Sequence, residues 1–168
     1  RGRVSGPTVV TSSPSPVVSS STQLIPTPQS DAVANVKIIS AGAYTMNYPK
    51  SWGVLKCSNS QSLEFDPYNG ADQLNAVCDY AVKPITILVT NNLNCPGETL
   101  ILGSNRVVRS KMAAADGVDY RWCVIGLGNS HLDITHRVSS SGSRATSKDD
   151  FSTQIEQIIS TIRTGGAS

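Results

Sequence analysis

Residues 106–127, RVVRSKMAAADGVDYRWCVIGL, constrain the fold more than any other stretch. They read as two strands joined at Asp116-Gly117, a pair typical of two-residue hairpin turns. Side chains alternate along a strand. On the returning strand Tyr120, Trp122 and Val124 therefore point one way, and Cys123, Ile125 and Leu127 the other. A strand apolar on both faces needs cover on both, which predicts a sheet packed from two sides.

The segments around this hairpin supply more strands and one helix. Tyr44, Met46 and Tyr48 alternate with smaller or polar residues in a strand that Pro49 ends. Trp52–Cys57, Ser62–Phe65 and Ile85–Thr90 read as further strands. Asp31–Asn35 reads as a short helix or simply the approach to the domain. Residues 67–71, PYNGA, form a turn cluster read as a loop. Gln73–Tyr80 fits a short helix or coil, and Thr99–Leu102 a helical turn or strand. His131–Val138 alternates again and should pair with the strand before it. Gly128-Asn129 makes the turn between them, and 139–147 is a Ser-rich loop. The last element is a helix capped by Asp149 or Asp150. Phe151, Ile155, Ile158, Ile159 and Ile162 follow at helical spacing as one apolar stripe, and Gly165-Gly166 stops it.

The first 30 residues have a different character: 17 are Ser, Thr or Pro, without apolar periodicity. Such a segment cannot bury enough surface to offset an ordering entropy of about 1–2 kcal/mol per residue. Its prolines favour an extended spacer. We therefore expect a disordered linker over 1–30, a domain over 31–164 and a flexible tail over 165–168. The linker reads as a stalk holding the domain away from a membrane or wall. No stretch approaches the roughly 18 apolar residues of a membrane span. Nor does the start, Arg1-Gly2-Arg3, resemble a signal peptide. Any membrane attachment would come from an anchor preceding Arg1.

Cysteine usage bears on the compartment. Cys57, Cys78, Cys95 and Cys123 are even in number and lack CxxC spacing, which suggests two disulfides in an oxidising environment. The other account is four buried thiols in a cytosolic protein. A zinc site would draw its ligands in close pairs. Three pairings are open, and Cys57–Cys78 with Cys95–Cys123 joins segments that fit as neighbours in the sheet.

No motif for catalysis stands out. There is no GxSxG elbow. His131 and His136 are five apart on a strand and face opposite sides, so they share neither metal nor proton. His131 and Asp133 do share a face and could form part of a hydrolase or metal site; a solvent-facing polar pair is the plainer account. Glu64, Asp66, Asp72 and Asp79 could serve glycosidase chemistry only if two of them flanked a cleft. Gly126-Leu-Gly128 is a turn, too short for a phosphate loop. Cys123, on a buried strand, is structural rather than a nucleophile. Arg106, Arg109, Lys111 and Arg121 could line a basic stripe, but no aromatic platform lies beside them. With charged residues at 15% and a formal net charge of +2, no nucleic-acid partner is expected.

In order, these signals resemble a known family. Tyr44-Thr-Met-Asn-Tyr48-Pro49-Lys-Ser-Trp52 is similar to the "Y-P-x-x-W" opening strand of the PsbP-like family. The closing run Ile158-Ile159-Ser-Thr-Ile162-Arg163 is similar to its last helix. That family shares its fold with Ran-binding Mog-type nuclear proteins, and the likeness extends over Ala43–Thr164. The resemblance implies an α+β fold, an antiparallel sheet flanked by helices on both faces in an α/β/α sandwich. It also implies exported or lipid-anchored bacterial relatives with binding or assembly roles rather than catalysis. The four cysteines depart from the pattern, as does the lack of a long helix between Thr90 and the hairpin. No cofactor or metal residues are carried over. The expectation is a non-enzymatic, secreted or cell-envelope module binding an unknown protein or envelope component. An exported hydrolase around His131 and Asp133, or a structural subunit of a surface appendage, are the alternatives.

Overall fold

A computed structural model describes residue 2 and residues 35–58, 62–76, 83–91, 94–126, 130–143 and 145–165. The chain divides into two units, Arg1–Ser30 and Asp31–Ser168; the second is described below. The expected linker falls outside the described residues except for Gly2, and the expected tail does so except for Gly165.

Eleven strands and one helix occur among the described residues. They are β1 (Val36–Ala41), β2 (Tyr44–Pro49), β3 (Gly53–Cys57), β4 (Ser62–Asp66), β5 (Gln73–Ala76), β6 (Ile85–Thr90), β7 (Glu98–Leu102), β8 (Asn105–Ala114), β9 (Gly117–Ile125), β10 (His131–Ser139), α1 (Ser152–Ser160) and β11 (Arg163–Thr164). Eight form one sheet in the order β5-β3-β4-β6-β10-β9-β8-β7, and three form a small sheet, β1-β2-β11. All described strand-to-strand pairings are antiparallel except β3 with β5, so the large sheet is mixed.

Register explains why one face of the large sheet is the core. Three rows of side chains run across it. Val107, Val124, Leu132 and Val89 make the first, and Trp122, Ile134, Ile87 and Leu63 the second. Tyr120, His136, Ile85, Phe65 and Val54 make the third. Except for the partly buried Val89, all of them are buried. Tyr44, Met46 and Tyr48 of β2 and Ile155, Ile158, Ile159 and Ile162 join the same core. Each large side chain so buried contributes roughly 1.5–3 kcal/mol.

The opposite face is built differently, and here the expected α/β/α sandwich is corrected. The molecule is mostly β, with a single nine-residue helix among the described residues. The outer row reads Leu55, Glu64, Thr86, Thr135, Arg121 and Ser110. The next reads Ser62, Leu88, Asp133, Cys123, Val108 and Thr99. Rows that mix polar and apolar residues in this way need no helical layer, as an antiparallel sheet can leave much of one face to water; Leu55, Glu64 and Cys123 are the buried positions in these two rows. The Thr86 and Thr135 hydroxyls bond at 2.6 Å. Arg121 grips Asp133 through Nε and Nη2, each at 2.8 Å. Cys123 is covered by its disulfide to Cys95. Leu127 lies outside the described residues.

Local details also differ from expectation. Ala114 pairs with Gly117, so the hairpin loop is Ala115-Asp116, one residue earlier than expected. Gly117 is needed because a Cβ there would run into the Val138 carbonyl oxygen. Asp116 closes the corner by accepting from the Ser139 hydroxyl. The helix cap is Phe151, with no side-chain cap; Asp150 instead accepts the Ser152 N–H at 2.8 Å. The helix ends at Ser160, ahead of the two glycines. Thr161 Oγ1 accepts the Asn47 N–H at 2.9 Å, and the chain passes into β11 against β2. The Gly165 N–H then donates to the Ala43 carbonyl at 2.6 Å.

Candidate functional site

The sequence-derived candidates are dispersed. His131 Nδ1 accepts the Gly126 N–H at 3.2 Å, while Asp133 is taken by Arg121; each has its own backbone or side-chain partner. His136 is buried in the core face. One ring nitrogen lies 3.2 Å from the Pro84 carbonyl, and Nε2 accepts the Phe151 N–H at 3.2 Å. Burial holds its pKa below the ordinary histidine value. The basic stripe does not form. Arg109 and Lys111 stand on the core-face side of β8 and Arg106 on the other, by strand alternation. Arg109 binds Glu98 and Glu156, and these contacts raise its pKa.

The carboxylates are equally committed. Glu64 is buried and accepts the Lys83 N–H at 2.9 Å. Asp72 sits against Lys37 at 2.7 Å, the Val54 N–H at 3.1 Å and the Tyr48 hydroxyl at 3.2 Å. Burial opposes its ionisation, but these donors win and hold it below the usual carboxylate range. Burial and that same carboxylate push the Tyr48 phenol well above its ordinary pKa. Asp79 lies outside the described residues. Among the described residues no group of three or more His, Cys, Asp or Glu could hold a metal ion.

Of the four cysteines, Cys95 and Cys123 form a disulfide across 28 positions, with Cα atoms 6.3 Å apart. Arg121 Nη1 donates to the Asn94 carbonyl at 3.0 Å, so two adjacent anchors hold this loop on β9. Cys57 is also disulfide-bonded. Cys78, and with it the expected Cys57–Cys78 pairing, lies outside the described residues. The Cys95–Cys123 bond is compatible with an extracytoplasmic protein. No described helix is long and apolar enough to cross a membrane.

The side chains converge elsewhere. A groove of about 650 Å³ opens where β3, β4 and β5 meet the loop after β10. Leu55, Tyr68 and Pro84 supply its apolar surface, and Asp66, Gln73, Lys83, Lys148 and Asp149 its polar surface. The turn cluster read as a loop places Tyr68. Asp66 Oδ1 accepts the Tyr68 N–H at 3.0 Å, folding the chain back on itself after β4. The Tyr68 hydroxyl donates to Asp149 Oδ2 at 2.8 Å and lies 3.2 Å from Ser147 Oγ. The Phe151 and Tyr68 rings stand T-shaped to each other, 5.6 Å between centroids.

The other wall is held as firmly. Ser147 is buried; its N–H donates to the Arg137 carbonyl at 2.9 Å and its carbonyl accepts the Ser139 N–H at 2.8 Å. Gly142, at φ 56°, makes the turn above it. The aliphatic stem of Lys148 runs where a Cβ on Gly142 would sit. Lys83 Nζ pairs with Asp66 at 2.8 Å. Tyr68 nevertheless remains 57% exposed. Tyr68 is thus an aromatic fixed by its hydroxyl and by Phe151 that still stands open to water. Sequence reasoning missed it; the available signal was an aromatic inside a turn cluster, where packing gives it no reason to be.

No family model matches the chain, and no curated protein matches it. A solved structure from Bacteroides thetaiotaomicron VPI-5482 is similar in arrangement, with 15% identity and a TM-score of 0.47. The match covers 79% of this chain and 49% of that one, so the chain spans about half the length of that neighbour.

Proposed function

We propose that the protein is a non-enzymatic binding module that works outside the cytoplasm. In this reading its Ser/Thr/Pro-rich segment tethers it to the cell envelope. The observation that carries the reading is the Tyr68 groove. Its carboxylates are already engaged, Asp66 by Lys83 and Asp149 by Tyr68. That leaves a stiff, near-neutral surface suited to holding a ligand rather than moving protons. The disulfide on β9 supports the location, since such bonds persist in oxidising compartments.

Alkylation trapping in the producing cell tests the location. All four cysteines should resist maleimide until a reductant is added; labelling without reductant would put the chain in a reducing compartment. An NMR titration with solubilised envelope fractions tests the binding role. Shifts should gather at Tyr68, Gln73 and Lys148. Product formation with shifts centred on His131 and Asp133 would overturn it in favour of a hydrolase.

A further inference from the structure

We infer that the Tyr68 groove binds an uncharged carbohydrate. The inference rests on the binding-module reading and names the ligand class for it. A sugar ring presents an apolar face of C–H groups and a rim of hydroxyls that both donate and accept. The groove offers the complement to each. Tyr68 gives a flat apolar platform, and its hydroxyl bond to Asp149 and T-shaped contact with Phe151 fix the ring before any ligand arrives. An aromatic immobilised in advance loses little conformational freedom on binding. Leu55 and Pro84 extend the apolar floor.

Around this floor stand groups that meet hydroxyls from both directions. Gln73, exposed at the rim, can donate and accept. Lys148 donates, its stem laid along Gly142. Asp66 and Asp149 each keep acceptor capacity beyond the bonds they make, since an ionised carboxylate accepts about four. Bonds from sugar hydroxyls to these ionised groups are the strong kind.

Charge selects among ligands. Two lysines and two aspartates line the groove, so their formal charges cancel. Lys83 is spent on Asp66 at 2.8 Å. Asp66 is used up in that same pair, which leaves Lys148 against Asp149; the lining has no surplus positive charge, and a phosphate or uronate would lose hydration there without compensation. A wholly apolar ligand would leave both carboxylates desolvated and badly paired. A neutral polyol suffers neither cost. The volume, about 650 Å³, falls within the roughly 300–1,000 Å³ usual for small-molecule sites.

The test is an NMR titration of the ¹⁵N-labelled full chain with neutral hexasaccharides of glucose, N-acetylglucosamine, xylose and mannose. Oligogalacturonate is the charged comparison. At least one neutral sugar should shift Tyr68, Gln73 and residues 142–149 in a saturable way. Tyr68→Ala should weaken that binding about tenfold or more. Tyr68→Phe, which keeps the platform, should weaken it less. Tyr68 is exposed, so both variants should keep the parent's spectral dispersion. No groove shift with any neutral sugar would overturn the carbohydrate assignment, as would equal binding by Tyr68→Ala or tighter binding of oligogalacturonate. A non-sugar envelope component binding in the same groove would overturn the assignment and leave the module reading standing. Free thiols in the producing cell would instead strike the extracytoplasmic location alone.

Discussion

The two faces of the large sheet solve the same problem by different means. The inner face is held by volume: three rows of apolar side chains lie under α1 and the small sheet. The outer face is held by discrete links. These are the Thr86–Thr135 hydroxyl pair, the Arg121–Asp133 fork and the Cys95–Cys123 bond. Area burial is collective and tolerates no intruding charge; links are local and can be removed one at a time. The contrast also accounts for β9. It is apolar towards the core, while its outer side needs only a cross-linked loop.

The sharpest way to break the inner face is a charge in the helix stripe. Ile158→Asp puts a carboxylate among Met46-side core residues and should abolish the cooperative thermal transition at neutral pH. On the outer face the covalent link should matter most. Replacing Cys95 and Cys123 by Ala frees a loop of 28 positions. It should cost about 3–4 kcal/mol in denaturant unfolding by the chain-entropy relation. A change smaller than about 1 kcal/mol would mean that Arg121 and the local packing hold the loop unaided.

His136 sharpens the comparison because it is a polar group on the apolar side. Burial holds its pKa below the ordinary value, so the unfolded chain takes up a proton that the folded chain refuses. Its stability is therefore full above about pH 6.5 and falls as pH drops from there towards the lower folded value. Asp72 and Asp150 are also held low. Their contribution is present above the usual carboxylate range and fades only below about pH 4. His136→Phe should lose about 1–3 kcal/mol at pH 7, because the Phe151 N–H and Pro84 carbonyl lose their partner. It should also flatten the fall in stability below about pH 6.5. Retention of that fall would assign it to another group.

The smallest effect is expected where a link keeps some contact with water. Arg121→Met combined with Asp133→Asn should cost only about 0–1 kcal/mol, since both side chains keep partial solvent access. A loss above 2 kcal/mol would show the outer face to be as cooperative as the inner one.

What could be read in advance follows from the same contrast. Strands β2, β3, β4, β6, β8, β9 and β10 were legible, β2 and β10 from the alternation that burial imposes and the others from apolar runs or the hairpin signal. So was the stripe of α1. β5 was not, because Gln73–Ala76 is largely exposed and its parallel pairing with β3 leaves no local signal. β1 went unread because Val36–Ala41 mixes exposed and half-buried positions, and Ile38 is among the exposed apolar residues. β11 has two residues and exists only through β2. The cover expected over the outer face had two sources: Cys123 and Ile125 on β9 read as a second apolar face, and the resemblance made that cover helical. There the polar positions Thr86, Asp133 and Thr135 argued for a wet face all along. Asp116-Gly117 marked the right corner for the wrong reason: the glycine yields to the Val138 carbonyl rather than shaping the loop. Tyr68 escaped notice because sequence patterns report what folding buries, and this ring is left out.

β11 has a consequence for how the chain reaches its final form. Thr45 and Arg163 meet across 118 positions, and Thr161 clips the same strand. During synthesis Tyr44, Met46 and Tyr48 emerge first, before residues 152–164 that complete the core around them. The molecule thus closes like a clasp, and a chain stopped before that point cannot lock.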